Sequence, residues 1–212
     1  MIVYGSSFSP YVRKTLAYLA EKGLEAEIKP TNPFAPDPEF RQVSPFGKIP
    51  GFRDGDFSIS DSTAIITYLE AKHPTPALLP FEPQSRARAV WFEEVADTIL
   101  IPCMGKMFFN RFVMPRFMGQ PGDEALALEA ETKELPPIID YLEGAIPADG
   151  YLVDGRLTVA DLAVASPFIN LDHVGVRPDP SRHPKLTAYV GRITTRPSFA
   201  QYVAQEKAFA AA

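Results

Sequence analysis

The chain is short of the residues that carry most metal, redox and nucleic-acid chemistry. One cysteine, Cys103, among 212 residues rules out an internal disulfide framework and an all-cysteine metal site. The three histidines, His73, His173 and His183, lie far apart without HxxxH or HExxH spacing, so no metal is expected. No apolar run reaches the roughly eighteen residues of a membrane span, and Ser9-Pro10 interrupts any signal-like start. No Lys/Arg cluster offsets the formal net charge of −5, which argues against nucleic acid as a partner. The expectation is a cytoplasmic protein that uses no metal, nucleic acid or membrane. Apolar residues, at 46%, and 22 prolines are plentiful, enough for a sizeable core in one large or two small domains with stiff loops between elements.

Residues 1–6, MIVYGS, predict a first strand. Ser9-Pro10 opens a helix, with a hydroxyl at the cap and proline at the first helical position, and Gly23 closes it. Val12, Leu16, Leu19 and Ala20 form its apolar stripe, leaving Arg13 to face solvent or pair with an acid. Leu24 to Lys29 predicts a second strand, parallel to the first by the right-handed crossover rule. Four prolines between 30 and 38 exclude a sheet interior.

The stretch SPFGKIPGFRDGDFSISDS, 44–62, is the most informative. It predicts strands at 50–55 and 57–59 joined at Asp54-Gly55, with Pro50 marking a strand entrance or a cis turn. The backbone of Ile49, unpaired at that edge, suits an added extended ligand. Ser60-Asp61-Ser62 then starts a helix, whose amides and Ser62 hydroxyl suit a carboxylate, while Asp61 suits an ammonium. With Lys48 nearby, the set fits a short zwitterionic peptide; a capped hairpin–helix unit with no ligand would have the same spacing.

Domain boundaries are expected at 1–75, with a proline-rich linker at 76–84 and an all-helical domain at 85–212. A long helix from Ser85 to about Met118 should carry Trp91, Val95, Ile99 and Leu100 on one side and bend near Pro102. In the next, 123–144, Pro136-Pro137 should kink or break the helix. Thr158 and Asp161 form a capping box for an all-apolar helix to about Asp172, the centre of the helical half. Pro184 and Pro197 begin two more helices, and the tail 208–212 should fray.

Four segments together resemble the cytosolic glutathione S-transferases: SPYVRKTLAYLAEKG at 9–23, SPFGKIP at 44–50, SDSTAIITYLE at 60–70 and GRLTVADLAVAS at 155–166. The resemblance, to serine-type and bacterial-like members, spans nearly the whole chain. It implies an α/β thioredoxin-like N-terminal domain followed by an all-α helical-bundle C-terminal domain, a homodimer, and glutathione as cosubstrate. Pro50 resembles the family's cis-proline, Ile49 the residue pairing with the cysteinyl backbone, and Lys48 a contact to the glycine carboxylate. Asp61-Ser62 matches the pair holding the γ-glutamyl group, with aspartate where the family usually has glutamate. For the catalytic hydroxyl Ser9 is favoured, with Ser6 and Ser7 as alternatives and Tyr4 a poorer fourth. Phe8, Met107, Phe108 and Phe112 are candidates for an electrophile pocket, though for any single one of them ordinary core or dimer packing weighs more. The implied activity is attack of a glutathione thiolate on small hydrophobic electrophiles, in detoxification. The alternatives are a glutathione-binding or ligandin-like protein with little transferase activity, or a glutathione-dependent isomerase or reductase.

Overall fold

The computed structural model describes residues 1–148 and 150–211. Its first half is one mixed sheet with helices on both faces. Strands β1 (Ile2–Tyr4), β2 (Glu27–Lys29), β3 (Gly51–Asp54) and β4 (Phe57–Ser60) lie in the order β2-β1-β3-β4. β1 pairs parallel with β2 and antiparallel with β3, which forms the hairpin with β4. Side chains alternate across the sheet: Val3 joins Phe52 in the main core under α1 (Pro10–Glu21) and α3 (Ser62–Lys72). Tyr4 faces the other way, onto Phe40 and Val43 around α2 (Pro38–Val43). The second strand is shorter than the 24–29 expected. Gly23, at φ +67°, turns the chain so that the Leu24 N–H bonds back to the Leu19 carbonyl at 2.9 Å, spending those residues on the helix end.

Eight consecutive residues of α1, Val12 to Leu19, are buried, Arg13 and Lys14 included. An amphipathic helix would present the charged pair to water. Here α1 lies between the sheet and the second half of the chain, so each cation finds its acid inside. Arg13 pairs with Glu206, and Lys14 with both Glu93 and Asp97 at 2.9 and 2.7 Å.

The second half is helical: α4 (Pro83–Val95), α5 (Ile101–Phe108), α6 (Met114–Phe117), α7 (Glu124–Glu129), α8 (Leu135–Ala145), α9 (Val159–His173), α10 (Pro184–Thr194) and α11 (Pro197–Ala211). Wide π turns at 96–100, 109–113 and 130–134 join α4 to α5, α5 to α6 and α7 to α8. Each ends two residues before a proline: Pro102, Pro115 or Pro136. A proline in a helix lacks its own N–H and crowds the carbonyl four residues back. A turn with i→i+5 bonding widens the spiral at that point. Pro136-Pro137 therefore does not break its helix: of the kink or break expected there, the break does not occur. The first π turn also shifts the helix phase. Val95 and Leu100, five positions apart across it, are both buried and Ile99 is left half exposed, although all three are expected on one side from the sequence; Trp91, ahead of the turn, is half exposed as well.

Helix α9 is buried from Val159 to Leu171 and forms the centre of the helical half. Its capping box is present: Asp161 Oδ2 accepts the Thr158 N–H at 2.8 Å, and Oδ1 accepts the Leu152 N–H at 3.0 Å. Burial outweighs these bonds and pushes the Asp161 carboxyl up to about 6. A folded-state value above the unfolded one favours the native fold at low pH and loses that contribution as pH rises through about 6. Chemical denaturation of the wild type and of Asp161→Asn should therefore diverge. Between pH 4 and pH 7 the wild type loses on the order of 3 kcal/mol relative to the variant. The tail shows no break in helix α11 as far as Ala211; Ala212, the last residue of the stretch expected to fray, lies outside the described residues.

Candidate active site

A cleft of about 1440 Å³ opens between the two halves. Its walls come from the start of α1, the loop before β3, the junction of β4 with α3, and the α4 region around Asp97. Six residues singled out from the sequence meet there: Ser9, Lys48, Ile49, Pro50, Asp61 and Ser62.

The loop before β3 is held by the Ser44 hydroxyl, which donates to the Lys48 carbonyl at 2.7 Å. Its Ile49-Pro50 peptide is cis. Among the described residues, the Ile49 N–H and carbonyl have no hydrogen-bond partner, since strand pairing begins only at Gly51. Gly5 sets how closely the loop approaches β1. A Cβ there would sit 2.6 Å from Val12 Cγ2 and 3.2 Å from Ile49 Cβ, and φ is +145°. Any side chain at position 5 would push the Ile49 edge away.

Asp61 caps α3 through a 3.0 Å bond from the Ala64 N–H to its Oδ1, and its own N–H bonds to the Pro50 carbonyl at 3.3 Å. Its φ of +83° is one that L side chains rarely adopt, a cost on the order of 1–3 kcal/mol. Such strain persists where the surroundings enforce it. Here it aims an exposed carboxylate and the first turn of α3 into the cleft. Ser62 follows, 2% exposed, and its hydroxyl is buried without a partner. An unsatisfied buried hydroxyl costs roughly 1–3 kcal/mol. One facing a cleft beside open helix N-terminal amides is arranged for an anionic oxygen.

The candidate hydroxyls separate cleanly in space. Ser9 caps α1, with only a long 3.5 Å bond from the Val12 N–H to its Oγ, and borders the cleft. Ser6 accepts from the Phe8 N–H at 3.4 Å, and Ser7 is bonded to the Glu206 carboxylate; neither borders the cleft. Tyr4 is buried beneath α2 and donates to Glu39 at 3.2 Å, with burial holding its phenol above the usual value. Cys103 is buried in the helical core, which pushes its thiol up to about 11 and leaves it protonated at neutral pH. Among the described residues no group of three His, Cys, Asp or Glu side chains could hold a metal ion.

The apolar candidates fall elsewhere. Phe8, Phe108 and Phe112 form one aromatic cluster with ring centroids 4.9–6.5 Å apart, joined by Phe117, Phe209 and His173. Met107 has no exposed surface. None of these four borders the cleft. Sequence reasoning missed Tyr11 and Phe34, which do. The Tyr11 hydroxyl donates to the Asp97 carbonyl at 3.0 Å, and burial raises its phenol to about 12. Phe34 reaches from the proline-rich loop to Phe109 of the helical half, rings 6.2 Å apart. Its only sequence signal is an aromatic between prolines, which points to no partner.

A thioredoxin-like sheet domain joined to a helical domain, with an open helix start and a helix-capping serine on the cleft between them, defines a class of two-domain proteins. Residues 3–77 match the glutathione S-transferase N-terminal domain and residues 109–206 the glutathione S-transferase C-terminal domain. A glutathione S-transferase of Hyoscyamus muticus is 30% identical over 96% of this chain and 97% of its own length. Glutathione S-transferase 3 of Zea mays is 30% identical over 95% of this chain and 92% of its own. In structure, the theta class glutathione S-transferase of Xanthomonas axonopodis pv. citri, solved with glutathione bound, superposes with a TM-score of 0.81 at 24% identity, over 95% of this chain and 96% of that one. The chain belongs to the glutathione S-transferase family.

Proposed function

We propose that this protein is a glutathione transferase that binds glutathione in the cleft and activates its thiol with Ser9 for attack on small hydrophobic electrophiles. The observation that carries this is the orphaned, buried Ser62 hydroxyl facing the same cleft as Ser9 and the open Ile49 backbone. Ser62 and the first amides of α3 take the γ-glutamyl carboxylate, and Asp61 takes the ammonium. The main chain of Ile49, ahead of Pro50, pairs with the cysteinyl residue, and Lys48 meets the glycine carboxylate. That placement runs the sulfur toward the N-terminus of α1.

A free thiol with pKa about 8.5 is only a few per cent ionised at pH 7. Lowering it by about two units requires roughly 2.7 kcal/mol of preference for the thiolate. A hydroxyl donated by Ser9 and the positive end of α1 are of that size together. The electrophile then lies under the Phe34–Phe109 pair, with the Phe8, Phe108 and Phe112 cluster and Met107 behind it. Residues 1–75 supply the glutathione half of the site, 85–212 the wall opposite and 76–84 the linker.

A homodimer fits the remaining surface. Phe46, 87% exposed on the loop before β3, and the half-exposed Trp91 and Ile99 are apolar groups that a second copy covers. Cytoplasmic detoxification is the role that goes with this chemistry. Among the alternatives, reduction through the protein's own sulfur is disfavoured by the buried, protonated Cys103.

Calorimetry with glutathione tests the assignment. The wild type should bind, and Ser62→Ala should weaken binding by roughly 5- to 150-fold, the equivalent of about 1–3 kcal/mol. No binding heat from the wild type at millimolar glutathione would remove the basis for the assignment.

A further inference from the structure

We propose that Glu206, on the last helix, is a positioning residue for Ser9, acting through Arg13, Asn170 and Ser166. Granted the thiol site proposed above, this places one determinant of thiol activation at the far end of the chain.

Ser9 has little holding its own side chain, so its direction depends on the backbone on either side. The two carbonyls flanking it are both pinned from α9: Asn170 Nδ2 donates to the Phe8 carbonyl at 2.8 Å, and Ser166 Oγ donates to the Pro10 carbonyl at 2.9 Å. Both donors are oriented by Arg13. Its Nη1 donates to Asn170 Oδ1 at 3.0 Å, which turns the amide nitrogen of Asn170 toward Phe8. The same Nη1 donates to Ser166 Oγ at 3.3 Å and to the Ser166 carbonyl at 2.8 Å, leaving the hydroxyl proton for Pro10. Arg13 is itself held as a fork by Glu206, with Nε to Oε1 at 3.1 Å and Nη2 to Oε2 at 2.8 Å. Both partners are almost wholly buried.

A buried ion pair is a poor stabiliser compared with apolar residues of similar volume, so stability alone is a weak reason for it. What apolar residues would not do is fix the plane of the guanidinium, and hence the two donors beside Ser9. Glu206 Oε2 also bonds His173 Nε2 at 2.8 Å, and His173 lies against Phe8 and Phe112. The same carboxylate thus braces the aromatic cluster next to the serine.

The test uses the full-length protein with glutathione and an activated aryl chloride, comparing wild type, Glu206→Gln, Asn170→Ala and Ile193→Val. Ile193→Val loosens the helical core away from the site. Readouts are kcat, the KM for glutathione, the pH titration of bound thiolate by ultraviolet absorbance, and Tm. Expected in the first two variants is a fall in kcat at pH 7 of about three- to twentyfold with thiolate titration moved to higher pH. The KM for glutathione should stay within about twofold, and Ile193→Val should lose Tm only. If Glu206→Gln does not fold, Asn170→Ala decides, because it leaves the ion pair whole. A lowered Tm with unchanged kcat and thiolate titration in Asn170→Ala would overturn the positioning role while leaving the thiol site standing. No glutathione turnover by the wild type would overturn both.

Discussion

Ser9→Ala should lower turnover at pH 7 by up to about 25-fold, the fall in thiolate fraction when a pKa of about 6.5 returns to about 8.5, and by less to the extent that the positive end of α1 keeps its share of the shift. Glutathione affinity should change by less than about threefold, because the proposed binding mode holds the tripeptide mainly at Ile49, Asp61 and Ser62. The deficit should shrink as pH rises toward 8.5, where the thiol ionises without help. Thiolate absorbance of the bound complex, followed from pH 5 to 9, separates this from a simple loss of binding. Ser6→Ala is the matched comparison, since that hydroxyl bonds only the Phe8 amide outside the cleft, and it should leave the titration in place. A thiolate titration unmoved in Ser9→Ala would remove Ser9 from the chemistry whatever its effect on rate. The cap itself is worth only about 1 kcal/mol of helix stability, so the variant should fold.

Lys14→Met should destabilise the protein by about 3–5 kcal/mol, the usual consequence of stranding buried acids without their cation. The ammonium is 1% exposed and holds two carboxylates, Glu93 and Asp97. Glu93 also accepts from the Thr63 hydroxyl at 3.0 Å, so the loss spreads from α1 to α3 and α4. Burial already holds the Asp97 carboxyl above its ordinary value, with Lys14 opposing. Without the cation the Asp97 carboxyl should resist ionisation further, and its folded-state pKa should rise. The sign follows from linkage: the deficit should be small below about pH 4 and grow as pH rises to 7. Denaturant titrations of wild type and variant at both ends of that range check it. A deficit independent of pH would point to lost packing of the lysine stem rather than to stranded charge.

Much of the glutathione half could be read from the sequence because its signals are local. Ser9-Pro10, Asp54-Gly55 and the Thr158–Asp161 box each report a cap or turn within four residues, and each stands where expected. The cleft residues 48–50 and 61–62 lie within fifteen positions of one another, so the hairpin alone brings them together. What remained hidden depends on distant partners. Arg13 and Lys14 look like the polar face of a surface helix until residues 79 to 193 positions later arrive to bury them. The π turns are not visible in apolar periodicity, although the prolines that follow them are. Val95 and Ile99 share a helical face in a regular spiral, and a wide turn puts Leu100 rather than Ile99 in the core with Val95. Phe34 meets Phe109 only because two chain segments far apart in sequence close over the cleft.

Helix α1 packs on α3 of the sheet domain and on α9 and α11 of the helical domain, and both of its buried cations find their acids in the helical domain. It is a shared wall rather than property of one room. Cutting the chain near residue 75 would leave the first piece with a guanidinium and an ammonium facing solvent without acids, and the second with a greasy trough where α1 had been. Protein engineers who treat the two halves as interchangeable cassettes would need to swap α1 and its acid partners as a set.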